Sequence, residues 1–200
     1  HTRYNVAAGM DRGDVLIIDA AIEKLHEDGA SFLGRFFIGE IWGAAMARSS
    51  RPRHEKRPVF VFIDEADLII KNDPTIASIL DRCRSQNIAL ICAMQRAEQI
   101  EHKQVRSALE NCAIKMANVD SEMSYFSKLL RVPEERMPSA SQRGVFATSI
   151  RGQPSLTKFG LAELPYYDMT EEEGKNHQKR MMRLYGIEKV EVPPARLFPD

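Results

Sequence analysis

The 200-residue sequence has no net charge to speak of, because 28 Lys and Arg balance 28 Asp and Glu. A chain without an excess of one sign does not wrap nucleic acid over its whole surface, although a local basic groove remains open to it. Long hydrophobic runs are also missing. No stretch approaches the roughly 18 apolar residues of a membrane span. Cysteine is scarce: Cys83, Cys92 and Cys112 are odd in number, fit no zinc spacing and lie in or beside apolar elements. They read as reduced packing residues in a reducing compartment. Nothing resembles a secretory signal, a repeat or a low-complexity tract. The chain opens on His1, not methionine, and reads as a fragment of a longer protein. What it does have is ordinary globular composition, 44% hydrophobic and 28% charged. That suffices for one domain, with or without an appendage, and excludes wholesale disorder.

Apolar runs alternate with helical patterns. Val15-Leu16-Ile17-Ile18-Asp19 reads as a short buried parallel strand. Leu33, Phe36, Phe37, Ile41, Ala44 and Ala45 recur at helical spacing, predicting a helix over 31–48 with Ser31 as its cap. Phe36, Phe37 and Trp42 are expected in the core. The polar, basic stretch from Arg48 to Pro58 reads as a solvated loop, or less favourably as a contact for DNA phosphates. Val59-Phe60-Val61-Phe62-Ile63 is apolar at every position, as in a central strand covered on both faces. Pro74 suits the first turn of a helix over 74–85. A second buried strand, Ile88 to Met94, ends in Gln95. A helix near 103–110, a strand over 113–116 and a helix capped by Asp120 or Ser121 follow. Residues 144–159 read as a hairpin, and Thr170 with Glu173 as a capping box for a helix over 171–184. Pro193-Pro194 belongs to an extended tail. Such alternation predicts α/β architecture: a parallel sheet with helical crossovers over residues 1–165, then a peripheral helix and tail over 166–200.

The chemistry gathers at strand ends. Ligands of parallel sheets bind at the carboxyl ends of strands. Asp64 stands there, where a carboxylate can hold Mg²⁺ beside nucleotide phosphates, and Glu65 follows, where a second carboxylate can polarise water. Together they make a Walker B pattern with a catalytic glutamate; alternatively, the strand ends in acids because its loop is solvated. Gln95 ends the next apolar strand. Its amide can donate to a γ-phosphate and accept from water, or it is merely a polar strand terminus. Arg84, in the run Arg82 to Asn87, can stabilise charge on a transferring phosphoryl group across a subunit boundary, or simply complement a helix C-terminus. No segment has the phosphate-cradling form GxxxxGK[ST], and Ala7-Ala8-Gly9-Met10 is no substitute.

The ordered set of segments is more specific than any one of them. Gly29 to Ile38, then Arg57 to Ala66, then Arg84 to Leu90 with the Gln95 strand, then Leu109 to Lys115, resembles the second half of the motor domain of type IV secretion coupling ATPases. These are of the TraG/TraD kind, within the FtsK/HerA group of RecA-like motors. The resemblance covers about residues 13–165 and implies a RecA-like sheet lacking its Walker A half. It implies ATP and Mg²⁺ as cofactors, Asp64 as metal ligand, Glu65 as activator of water, Gln95 as phosphate sensor and Arg84 as a further candidate. Asn111 matches a recurring asparagine of no derivable role. The partners implied are further copies in a hexameric ring, DNA held by its phosphates, and secretion-system components. The parent is implied to work in the cytoplasm at the bacterial inner membrane. Two alternatives stand beside this expectation: a non-catalytic docking module, and a secretion ATPase moving protein instead of DNA.

Overall fold

The computed structural model describes residues 4–70, 79, 82–95, 97, 100, 102–160 and 169–185. Their elements are α1 (Val6–Arg12), α2 (Ile22–Ala47), β1 (Val59–Ile63), α3 (Ala66–Ile70), β2 (Ile88–Cys92), α4 (Lys103–Glu110), β3 (Ile114–Ala117), α5 (Met123–Leu130), β4 (Val145–Ile150), β5 (Gln153–Lys158) and α6 (Glu171–Tyr185). The expected helix over 74–85, apart from Ile79, Arg82 and the turn that follows, lies outside the described residues, as do the side chains of Cys83 and Arg84 and the tail beyond Tyr185.

The architecture is mixed α/β, with two sheets instead of one among the described residues. β1 and β2 pair in parallel, with Val59 opposite Ile88 and Ile63 opposite Cys92. The second sheet has the order β3-β4-β5 and is antiparallel throughout. The expectation of one continuous parallel sheet is thus corrected from β3 onward. The helix-bearing connection between β2 and β3 would permit a parallel return to the first sheet, but β3 pairs with the hairpin strand β4 instead, Ile114 opposite Ile150 and Ala117 opposite Ala147. The hairpin itself is as expected. Its two-residue turn, Arg151-Gly152, has φ of 51° and 82°, the doubly left-handed geometry that matches strand twist.

Each sheet has its own core. Val59, Val61 and Ile63 of β1, with Ile88 and Leu90 of β2, face Ile38 and Ala45 of α2 and Val105 of α4 in one cluster. Leu130, Val132, Met137, Ala117 and Ala147 form the other. Trp42 packs half-buried against the first cluster, whereas Phe36 is exposed.

Among the described residues the first sheet is covered on one side only. Phe60 and Phe62 are 63% and 74% exposed. Their ladder partners Ala89 and Ile91 share that open face. The expectation that β1 is sheltered on both sides is therefore corrected. So is the strand at Val15–Asp19. Arg57 donates to the carbonyl of Arg12 at the start of β1, and Ala20 and Ala21 lie beside Asp64 at its tip. Among the described residues the segment between joins no ladder, and Val15 and Ile17 are 90% and 87% exposed. No layer among the described residues faces it, so nothing there holds this apolar run in register.

Helix α2 starts earlier than its periodicity suggests and is interrupted at His26, whose φ is 57°. Ser31 is not its cap. It is buried inside the helix, and its hydroxyl donates to the carbonyl of Leu68 at 3.1 Å. Asp120 likewise caps no helix: its Oδ1 accepts from the amide of Ala140, and left-handed Glu122 precedes α5 instead. The capping box of α6 is present, with Thr170 N–H donating to Glu173 and the Glu173 N–H to the Thr170 hydroxyl. No helix among the described residues is long and apolar enough to cross a membrane.

Candidate functional site

Parallel pairing brings the ends of β1 and β2 side by side. The ladder continues one step past both strands, where Ala93 N–H donates to the carbonyl of Ile63 at 2.9 Å and its carbonyl accepts from Ala66 N–H at 2.8 Å. Ala93 therefore grips the backbone on either side of Asp64-Glu65. Gln95 follows two residues on, at the adjoining strand tip.

The turn between β1 and α3 is held tightly. Asp64 Oδ1 accepts from the backbone N–H of Glu65 at 3.0 Å. Glu65 takes φ of 47°, the left-handed region that costs a non-glycine residue of order 1–3 kcal/mol. Strain of this kind persists only where the surroundings enforce it. Here α3 enforces it. Ser31 and Arg35 of α2 donate to the carbonyls of Leu68 and Ile69. Gly34 lets α2 approach so closely that an added Cβ would stand 2.6 Å from Ile69 Cδ1. Both acids and Gln95 remain exposed.

A cavity of about 230 Å³ opens beside the acids, lined by Asp64, Glu65, Leu68, Ile69, Ala30 and residues 20–23. Gln95 does not line it. The volume falls short of the roughly 300–1,000 Å³ of small-molecule sites. Among the described residues no three His, Cys, Asp or Glu side chains converge. A lone Asp64 carboxylate would hold Mg²⁺ only with water and phosphate completing the shell. Its Oδ1 keeps a lone pair beyond the one used by Glu65, and Oδ2 adds more.

Arg84 is not part of this gathering. It lies in the 3₁₀ turn Cys83–Gln86 ahead of β2, whereas Gln95 lies past the other end of that strand. Five strand residues rise about 17 Å, so the two backbone positions stand at opposite ends of β2. The basic loop also departs from its expected form. Arg48 and Lys56 are buried, not solvated: Arg48 donates to the carbonyls of Arg57 and Gln86, and Lys56 to the carbonyl of Ser49 and Oε1 of Gln86. Burial holds the Arg48 guanidinium below its ordinary pKa.

Two side chains outside every motif hold the backbone after Gln95. Arg106 of α4 donates to the carbonyl of Ile100 through Nε at 3.2 Å and Nη2 at 2.9 Å, and to Ala97 at 3.4 Å. Glu122 Oε2 accepts from the Ala97 N–H at 3.3 Å. No spacing in the sequence announces either contact, because both cross between elements.

These features define a mixed α/β protein with paired acids at the tip of a parallel strand. Residues 58–151 match the family described as the TraM recognition site of TraD and TraG, a segment just under half of the 200-residue chain. The resemblance to type IV secretion coupling ATPases holds over that segment, which contains both strand tips. Among solved structures, VirB4 of Thermoanaerobacter pseudethanolicus is similar at 16% identity with a TM-score of 0.46, over 69% of this chain and 38% of its own. The chain thus spans well under half the length of that protein. No curated protein matches the chain in sequence.

Proposed function

We propose that this chain forms part of an ATP-driven motor of the type IV secretion coupling kind, its strand tips handling the terminal phosphate of ATP. The observation that carries this reading is the strained Asp64-Glu65 turn, bridged on both sides by Ala93 of the neighbouring strand end, two residues ahead of Gln95. Asp64 would hold Mg²⁺, which when bound neutralises charge on the phosphates. Glu65 orients and deprotonates the attacking water, and the Gln95 amide contacts the γ-phosphate. Arg84, remote from these groups in its own chain, serves a neighbouring copy's site in a ring, a hexamer on the resemblance. The cargo is DNA, held by its phosphates and hence blind to sequence, and the motor works in the cytoplasm at the bacterial inner membrane. ATP hydrolysis by the protein at its natural length tests the reading. Glu65→Gln should retain bound ATP and lose turnover about 10²-fold or more. Unchanged turnover would end it.

A second reading is favoured by the small volume beside the acids. The chain then acts as a docking platform for conjugation components, in keeping with the TraM recognition named for its family. In that case Glu65→Gln changes nothing, and binding to secretion partners survives it. DNA-stimulated turnover separates a DNA motor from one that moves protein.

A further inference from the structure

The two sheets have separate cores, yet a polar clamp reaches from the second to the candidate site of the first. Ala97 and Ile100, both buried, follow Gln95 on the way to α4. Ala97 is held at both backbone groups, its N–H by Glu122 and its carbonyl by Arg106, and Arg106 takes the Ile100 carbonyl as well. Arginine suits this task because its planar fork fixes two directions at once. The clamp is itself anchored. The Arg106 guanidinium lies 5.8 Å from the ring centroid of Tyr125 on α5, and the Tyr125 hydroxyl donates to Glu110 on α4 at 3.2 Å. Glu122 precedes α5 with φ of 52°, so its aim is set by a strained backbone. Helix α5 in turn seats Leu130 fully buried in the second core.

We infer that Arg106 and Glu122 are positioning residues that tie the Gln95 tip to α5, so that phosphate occupancy at the first sheet is transmitted to the β3-β4-β5 unit. This inference rests on the reading of Gln95 as phosphate sensor. Occupancy pulls on Gln95, the clamp carries the displacement through Ala97, and α5 responds because Glu122 and Tyr125 belong to it or adjoin it. Neither residue touches phosphate.

The clamp is tested first without nucleotide, by hydrogen exchange on the full chain. Glu122→Ala and Arg106→Ala should speed exchange at Ala97 and Ile100 about tenfold or more, as local opening becomes easier, while β1 and β2 keep their protection. Glu122→Gln keeps an acceptor and should restore the original rate. Unchanged exchange in both alanine variants would overturn the inference. The second arm measures ATP turnover by the protein at its natural length. Gln95→Ala and the two alanine variants should each lower kcat about tenfold with KM unchanged, the pattern of a lost transition-state contact. A fall in Gln95→Ala alone would overturn the clamp. If Gln95→Ala itself leaves turnover intact, the sensor reading fails, and the exchange data decide the clamp on their own.

Discussion

Lys56 Nζ donates to the side-chain oxygen of Gln86 at 3.1 Å, and both residues are buried. The contact joins the approach to β1 with the approach to β2, at the end of the sheet away from Asp64. Arg48 donates to the Gln86 carbonyl at the same place. Two buried cations are thus solvated by backbone and amide oxygens.

Gln86→Leu should therefore cost about 1–3 kcal/mol, because Lys56 loses a buried acceptor. Denaturant unfolding followed by far-ultraviolet circular dichroism reads this directly. A midpoint equal to the parent's would mean that water replaces the lost oxygen freely.

The Tyr125 hydroxyl is pushed up to about 12 from an ordinary 10.0, first by burial and then by the charge of Glu110. The folded state holds this proton more tightly than the unfolded chain does. Its contribution to stability is complete below pH 10 and is lost as pH rises towards about 12. Phenolate absorbance against pH should show a late-titrating component that shrinks by one tyrosine in Tyr125→Phe. A titration curve unaltered by that substitution would contradict the buried placement.

Glu65→Gly should stabilise the chain by about 1 kcal/mol, since glycine adopts a left-handed φ without the clash of a Cβ. The same change should abolish ATP turnover in the protein at its natural length. Loss of stability would show that the turn is not strained.

Phe60 and Phe62 present an apolar face to water. The chain should bind a fluorescent apolar dye, and the double change Phe60→Ser with Phe62→Ser should weaken that signal severalfold while leaving β1 and β2 paired. Equal dye binding by the variant would locate the apolar surface elsewhere.

Much of this structure is written in local pattern. β1 and β2 announce themselves as five-residue apolar runs, the hairpin by Arg151-Gly152, and α6 by Thr170 and Glu173. These signals act within a few residues, so one dimension suffices to read them. The failures are all nonlocal. Whether Val15–Asp19 becomes a strand depends on what lies beside it, and an all-apolar β1 says that both faces suit burial, not that both are buried. Ser31 looks like a cap because serine favours caps, yet α2 begins at Ile22 and spends that hydroxyl on Leu68. At the candidate site, Asp64, Glu65 and Gln95 are legible from their strands. Arg106 and Glu122 are not, since they reach Ala97 from α4 and from the residue ahead of α5.

The parallel register has a kinetic consequence. β4 and β5 are neighbours in the chain, with Ile150 opposite Gln153 across their turn, and a hairpin of that kind closes within about 1–10 microseconds. Val59 meets Ile88 only after a long crossover has been laid down, and such distant pairings come late because the chain must first surrender the freedom of the intervening loop. The acidic turn and its amide neighbour are therefore assembled only after the hairpin has closed.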